Sequence, residues 1–276
     1  MNYKTVSINI VSKFWNKHPC NIKHSKSIFG TKKYFNEIEK RKYFVEPHIP
    51  QFTQFAKWKN KEVLEIGCGI GTDTINFARA GAFVTAVDVS KSSISIAKKR
   101  SQIFVLTKRI KFYHANAEQL SKTVPIKPYD LIYSFGVIHH TPNPKNVIKE
   151  LKKYTYPKTE LRIMLYHKYS WKVFWIILKY GNAAFWRINE LISKYSEAAI
   201  GSPVSYVYTI PQAKELLKGF RITNIWIDHI FPYNINKYRK YIYQKTWYWT
   251  IIPKSIFKWL EKNFGWHILI KAIPLN

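Results

Sequence analysis

Sulfur is scarce in this chain: its 276 residues include two cysteines, Cys20 and Cys68, and two methionines. Two cysteines in unrelated contexts cannot build a disulfide framework, a four-cysteine zinc centre or a paired-thiol relay. No run of His, Cys and Asp has metal-ligand spacing, so no metal is expected. A reducing cytoplasm is the simplest compartment. No apolar run approaches the roughly 20 residues that cross a bilayer, the first eleven residues lack a secretory apolar core, and repeats and low-complexity tracts are absent. Acid is scarce as well, with 16 Asp and Glu against 45 Lys and Arg, a formal charge of +29. Such a field draws nucleic acid, anionic membrane or acidic small molecules. Only 8 of the cations are arginine, however. Arginine is the better reader of bases and phosphates through its planar fork, so a lysine-dominated surface with no recognition motif disfavours nucleic acid. Abundant Lys, Ile, Asn and Tyr would also follow from an adenine- and thymine-rich coding sequence.

Glycine is sparse too, yet three of the ten lie within five residues, at Gly67, Gly69 and Gly71. They follow an apolar run, Glu62 to Ile66, of strand type, and precede a helix expected from about Asp73 to Ala80. Gly81 stops that helix, and a second strand from Phe83 to Val87 ends at Asp88, whose carboxylate can accept both hydroxyls of a ribose. A dinucleotide loop would read G-x-G-x-x-G and hold a pyrophosphate. Here position 72 is threonine and the spacing is G-x-G-x-G, which suits a nucleoside ligand without a pyrophosphate. Ser90 can cap the next predicted helix, Lys91 to Leu106, and so leave Asp88 for the ribose.

Leu64 to Gly71, Asp88, Asn116-Ala117-Glu118 and Tyr129 to His140 occur in an order and spacing that resemble the class I S-adenosylmethionine-dependent methyltransferases, most nearly the small-molecule members. The resemblance is close over residues 56 to 166 and looser beyond, where Arg221 to His229 and Trp266 to Ile273 look like closing strands. It implies an α/β, Rossmann-like fold with a seven-stranded, mainly parallel sheet and an antiparallel last strand. The cofactor implied is S-adenosylmethionine. Glu65, Gly67, Cys68, Gly69, Gly71 and Thr72 would hold its methionine part, Asp88 its ribose, and Val89, Asn116, Ala117 and Glu118 its adenine. Ser134, Phe135 and Gly136 would border it from the fourth strand. The family usually has aspartate where this chain has Asn116, although an amide oxygen can also accept from the adenine amino group.

Methyl transfer from a sulfonium is an in-line displacement, in which the protein aligns a nucleophile and excludes water. A base is needed only where the nucleophile carries a proton. His139 or His140, after the fourth strand, could take that proton, and either could equally be a structural strut. Asp130, at the opposite end of that strand, reads as structural. Tyr34, Tyr43, Tyr166 and His167 are weaker pocket candidates.

Three aromatic, lysine-rich segments exceed the core: residues 1–55, read as an N-terminal helical cap, and two inserts at about 167–208 and 231–264 within a methyltransferase domain of residues 56–276. Ligands sit outside the carboxyl ends of strands in such folds, so these segments can fold over that edge as lids. The last, with Tyr238, Trp247 and Trp259 interleaved by Lys237, Lys254 and Lys258, suits peripheral contact with anionic lipid. The function expected is methylation of an oxygen or nitrogen on a small, amphiphilic biosynthetic intermediate. The alternatives are an RNA methyltransferase, or a non-catalytic protein that binds the cofactor or a membrane. Oligomeric state is not legible.

Overall fold

A computed structural model describes residues 3–196 and 201–275. Residues 1, 2, 197–200 and 276, which belong to the predicted cap, first insert and C-terminal end, lie outside the described residues.

Seven strands form one sheet: β1 (Glu62–Ile66), β2 (Phe83–Asp88), β3 (Ile110–His114), β4 (Leu131–Phe135), β5 (Glu160–Tyr166), β6 (Phe220–Asp228) and β7 (His267–Pro274). Their spatial order is β3-β2-β1-β4-β5-β7-β6. Neighbours among β1 to β5 pair in parallel, and β7 runs antiparallel to both β5 and β6. The antiparallel last strand is therefore as expected, and it lies inside the sheet rather than at its edge. Alternate residues serve opposite faces: Val63 and Leu131 join one buried apolar cluster, Leu64 and Ile132 the other. Both faces are covered, which is why these strands read as continuous apolar runs.

Helices α4 (Thr72–Arg79), α5 (Lys91–Ile103) and α6 (Pro144–Lys152) connect the parallel strands. Ser90 caps α5 through its Oγ, which accepts from Ser93 N at 3.1 Å. That helix stops three residues before the expected Leu106, because Val105 takes a left-handed φ of 56° and Leu106 N bonds back to Ser101 O.

Before β1 come α1 (Ile8–Lys17), α2 (Lys32–Val45) and α3 (His48–Thr53); between β5 and β6 come α7 (Trp171–Gly181), α8 (Ile188–Tyr195) and α9 (Ile210–Leu216). The chain between β6 and β7 forms three pieces, α10 (Ile235–Arg239), α11 (Trp247–Ile251) and α12 (Lys254–Phe264). An isolated bridge from Tyr233 to Lys245 brackets α10, and Pro253 separates α11 from α12, so the segment is not one continuous amphipathic helix.

Long-range polar contacts seat these additions. Asp73 accepts from Lys42 Nζ at 2.8 Å, Tyr43 Oη at 2.9 Å and Tyr133 Oη at 2.8 Å, joining α2, α4 and β4. Buried Arg100 on α5 bonds Thr72 Oγ1 at 2.7 Å and Glu39 on α2 at 3.0 Å. Arg41 on α2 donates to Tyr238 O at 2.6 Å, with the rings of Tyr238 and Tyr241 4.0 and 4.2 Å from its guanidinium. Arg162 on β5 reaches Gln54 Oε1 at 2.7 Å, beyond the end of α3.

Asp73→Ala strands one ammonium and two hydroxyls in a poorly hydrated place and is expected to lower the unfolding free energy by about 3–5 kcal/mol. Tyr133→Phe removes one of the three donors and should cost about 1 kcal/mol. Denaturant titration of both proteins checks this ratio; equal losses would mean that Asp73 does not join the three elements.

Candidate active site

The order of strands reverses between β1 and β4, and a cavity of 260 Å³ opens there at their carboxyl ends. Its floor begins where β1 ends. The amides of Gly67 and Cys68 both donate to Val87 O, at 2.7 and 2.9 Å, turning the chain sharply over β2. Gly67 has φ +77°, and a Cβ there would fall 2.0 Å from Val137 Cγ2, so a side chain is excluded. Gly69 differs: a Cβ built on it meets nothing within 4 Å. Its half-buried backbone borders cavity space, a cradle any side chain would fill.

Asp88 ties the loop to α5. Its Oδ2 accepts from Gly69 N at 2.8 Å and its Oδ1 from Ser90 N at 2.8 Å. Ser90 caps α5, as the sequence suggests, while Asp88 also holds that residue's amide. Each carboxylate oxygen keeps a second lone pair for a ligand. Burial pushes this carboxyl up while the two amides pull it down, and the net direction is upward.

Cys68, Thr72, Val89, Asn116, Ala117, Phe135 and Gly136 border the cavity with Gly67, Gly69 and Asp88. Glu65, Gly71, Glu118 and Ser134 do not. Glu65 lies beneath the loop, 3% exposed, accepting from Thr74 Oγ1 at 2.5 Å. Burial, then the nearby Asp73 charge, raise its carboxyl to about 8. Glu118 accepts from Asn143 N at 2.7 Å, and the Ser134 hydroxyl is enclosed with no hydrogen-bond partner. Asn116 Oδ1 already accepts from Glu118 N at 2.9 Å, which holds the side chain in place.

The two histidines after β4 part company. His140 borders the cavity, with Nδ1 2.7 Å from Val204 O, and Trp15 of α1 packs its ring 5.4 Å away. A carbonyl only accepts, so Nδ1 carries the proton and the basic lone pair lies on Nε2. His139 turns inward. It is fully buried, neither ring nitrogen has a hydrogen-bond partner, and its ring lies 3.7 Å from that of Tyr166. Burial drives its pKa well below the ordinary value, so it stays neutral and weakly basic.

Of the weaker candidates, Tyr166 borders the cavity, while Tyr43 serves Asp73, Tyr34 bonds Ile22 O at 2.6 Å, and His167 Nδ1 lies 3.1 Å from Gly265 O. Asp130 accepts from Glu62 N at 2.9 Å and Tyr156 Oη at 2.6 Å, and is structural as expected.

Sequence spacing missed one cluster. Glu46 at the end of α2, His229 after β6 and His267 opening β7 bring ligand-type atoms within 4.8 Å of one another, and His48 Nε2 lies 2.9 Å from His267 Nδ1. Its members are far apart in sequence, so a search for His, Cys and Asp at ligand spacing along the chain does not include this group. The signal lay in the expected closing strands, whose antiparallel pairing sets Asp228 opposite His267 and so draws His229 alongside. Glu46, His267 and Lys42 border the cavity at the end remote from Asn116.

A carboxyl raised in the folded state stabilises it below the unfolded pKa, and that contribution is lost as pH rises through the folded value. Glu65, at about 8, should therefore make stability fall between about pH 5 and pH 8. Glu65→Gln is expected to flatten that slope, read from chemical unfolding across pH; an unchanged slope would place the titration elsewhere.

The sequence profile described as a methyltransferase domain matches residues 57–179. The mitochondrial ubiquinone biosynthesis O-methyltransferase of Schizosaccharomyces pombe is 34% identical over 107 residues, covering 38% of this chain and 37% of its own length. Its counterpart in Aromatoleum aromaticum is 31% identical over 88 residues, covering 32% of this chain and 36% of its own. The match thus spans little more than a third of these curated relatives. Among solved structures, magnesium protoporphyrin IX methyltransferase from Synechocystis PCC 6803 with bound SAH aligns with a TM-score of 0.60 at 14% identity, over 98% of this chain and 100% of that one. The [4+2]-cyclase SpnF aligns with the same TM-score, 0.60, at 16% identity over 96% of each chain. Those likenesses establish the fold. Residues 57–179, which hold the glycine loop, match the methyltransferase-domain family, and the chain as a whole has the Rossmann-like fold of the solved Synechocystis methyltransferase.

Proposed function

We propose that this protein binds S-adenosylmethionine in the cavity beside Gly69 and Asp88 and methylates an oxygen or nitrogen of a small, partly apolar acceptor. The observation that carries this reading is continuity: one cavity joins the glycine loop, Asp88 and Asn116 to His140, Tyr166 and His267. Such continuity is what an in-line transfer between two bound molecules needs.

The residues fit the cofactor. The open space at Gly69 admits close backbone approach, the second lone pairs of Asp88 suit ribose hydroxyls, and the half-apolar wall of Val89 and Ala117 suits a base. S-adenosylmethionine supplies a methyl group on a sulfonium, a leaving group that needs no acid. The chain's own task is to align the acceptor, exclude water and remove a proton where the acceptor has one. His140 has the better position for that last step, with its basic Nε2 set by the Nδ1 contact to Val204 O.

An amphiphilic acceptor is supported by a second cavity of 570 Å³, walled by Trp171, Phe174, Ile177, Phe185, Trp249 and Leu260 between α7, α11 and α12. Trp247, Ile251, Ile256 and Trp259 are all more than 45% exposed on the same insert. With neighbouring lysines, they support peripheral contact with an anionic membrane. No helix among the described residues is long and apolar enough to cross one.

Calorimetric titration with S-adenosylmethionine and S-adenosylhomocysteine should show one site, weakened at least tenfold, or about 1.4 kcal/mol, by Asp88→Ala. A wild type that binds NAD and neither of these ligands would sink the proposal. Once methyl incorporation into a phenol, acid or amine is found, His140→Gln should lower kcat by roughly 10²-fold or more if it removes the proton. His139→Phe should leave turnover near the parent. The reverse pattern would exchange their roles.

A further inference from the structure

Four polar side chains from four elements meet where the N-terminal helices, β6 and β7 converge, and the methyl-transfer reading gives none of them a chemical role. His48, His229 and His267 are 5%, 7% and 3% exposed, with ring centroids 4.8 to 5.0 Å apart. Burying three imidazoles together costs free energy, and the bond between His48 Nε2 and His267 Nδ1 at 2.9 Å links two of them. Glu46 adds a carboxylate, its Oε1 3.9 Å from His267 Nε2.

We propose that Glu46, His229 and His267 form a binding site for one divalent transition metal ion, of the zinc type. The donor set decides the class. Two neutral imidazoles with one carboxylate suit zinc and its first-row neighbours, whereas magnesium and calcium prefer all-oxygen surroundings. Three protein ligands also leave a coordination position open.

His48 supplies the supporting contact such sites need. Its Nε2 lies 2.9 Å from His267 Nδ1, so His267 can donate there while Nε2, the nitrogen toward Glu46, faces the ion. Ligand atoms around zinc sit about 3.4 Å apart for bonds of about 2.1 Å. Here they lie within 4.8 Å of one another, and binding would draw them closer.

Three lysines bear on the cluster. Lys42 is offset by Asp73 at 2.8 Å and Lys258 by Glu261 at 2.5 Å, while Lys172 lies 4.5 Å over the Trp266 ring. Because Glu46 and His267 border the main cavity, the open position faces the space assigned to the acceptor, and it suits an acceptor bearing an ionisable oxygen. That last step rests on the methyl-transfer reading; metal binding itself does not.

The test is titration of the full-length protein, first stripped with chelator, with Co²⁺ followed by its visible absorption, then displacement by Zn²⁺. One cobalt per chain is expected, with the band of a low-coordinate nitrogen and oxygen site. His48→Phe, which removes only the support, should weaken binding by roughly 10- to 100-fold. Glu46→Gln, at a partly exposed position that folding tolerates, should weaken it at least as much. Circular dichroism verifies that both variants fold. No saturable binding by the wild type, or binding of equal strength in both variants, overturns the proposal. S-adenosylmethionine titration of the same samples separates this outcome from failure of the methyl-transfer reading, since either can succeed alone.

Discussion

Asp73 is the constraint on which the architecture turns. A carboxylate at the start of α4 is ordinary, because helix amino termini favour negative charge. This one is 3% exposed and compensated from three directions, by Lys42 and Tyr43 of the cap helix and Tyr133 of the central strand. The glycine loop, the sheet and the cap are thereby held in one geometry. The position of α2 then follows, and with it the position of Glu46, Arg41 and the α3 helix that carries His48. Both Tyr43 and Tyr133 are held well above the ordinary phenol range, by burial first and the Asp73 charge next, so they remain donors at any physiological pH.

The charge of the surface does not extend to the cavity. The chain carries +29, yet the groups around its centre are held neutral or paired by burial: Glu65 protonated, His48, His139, His229 and His267 unprotonated, and Lys42 matched to Asp73. A low-dielectric interior lets few charges stand alone, so each one that remains there acts strongly on whatever enters. The long-range field gathers anions to the molecule; local desolvation decides what the cavity keeps.

Much of the sheet and the cofactor end was legible because both rest on local signals. The strand from Glu62 to Ile66, the glycine spacing, and Asp88 at the end of β2 are separated by short, ordinary distances, and backbone geometry does the rest. The lining of the cavity around His140 and His267 was not legible in the same way. Whether His139 or His140 turns toward the cavity depends on a single 3-10 turn over Ile138–His140. Their reading as equals could be resolved only by packing against Tyr166 and Val204. Glu46, His48, His229 and His267 lie on four elements, and no local pattern announces that they meet. Glu65 and Glu118 show the converse: a motif places a residue near a site, and its side chain then satisfies a neighbour instead of facing the cavity, while Ser134 is simply enclosed.

The antiparallel strand carries a consequence for how the molecule comes to exist. β7 follows every other strand in chain order, yet it lies between β5 and β6 and bonds to both. Until it arrives, β5 presents an open edge and β6 has no place in the sheet. Such long-range insertion is slow, and it leaves an unpaired apolar edge exposed while it is awaited. The parallel half can condense early from neighbouring segments. The end of the cavity that holds His267, at the head of β7, depends on that strand's arrival.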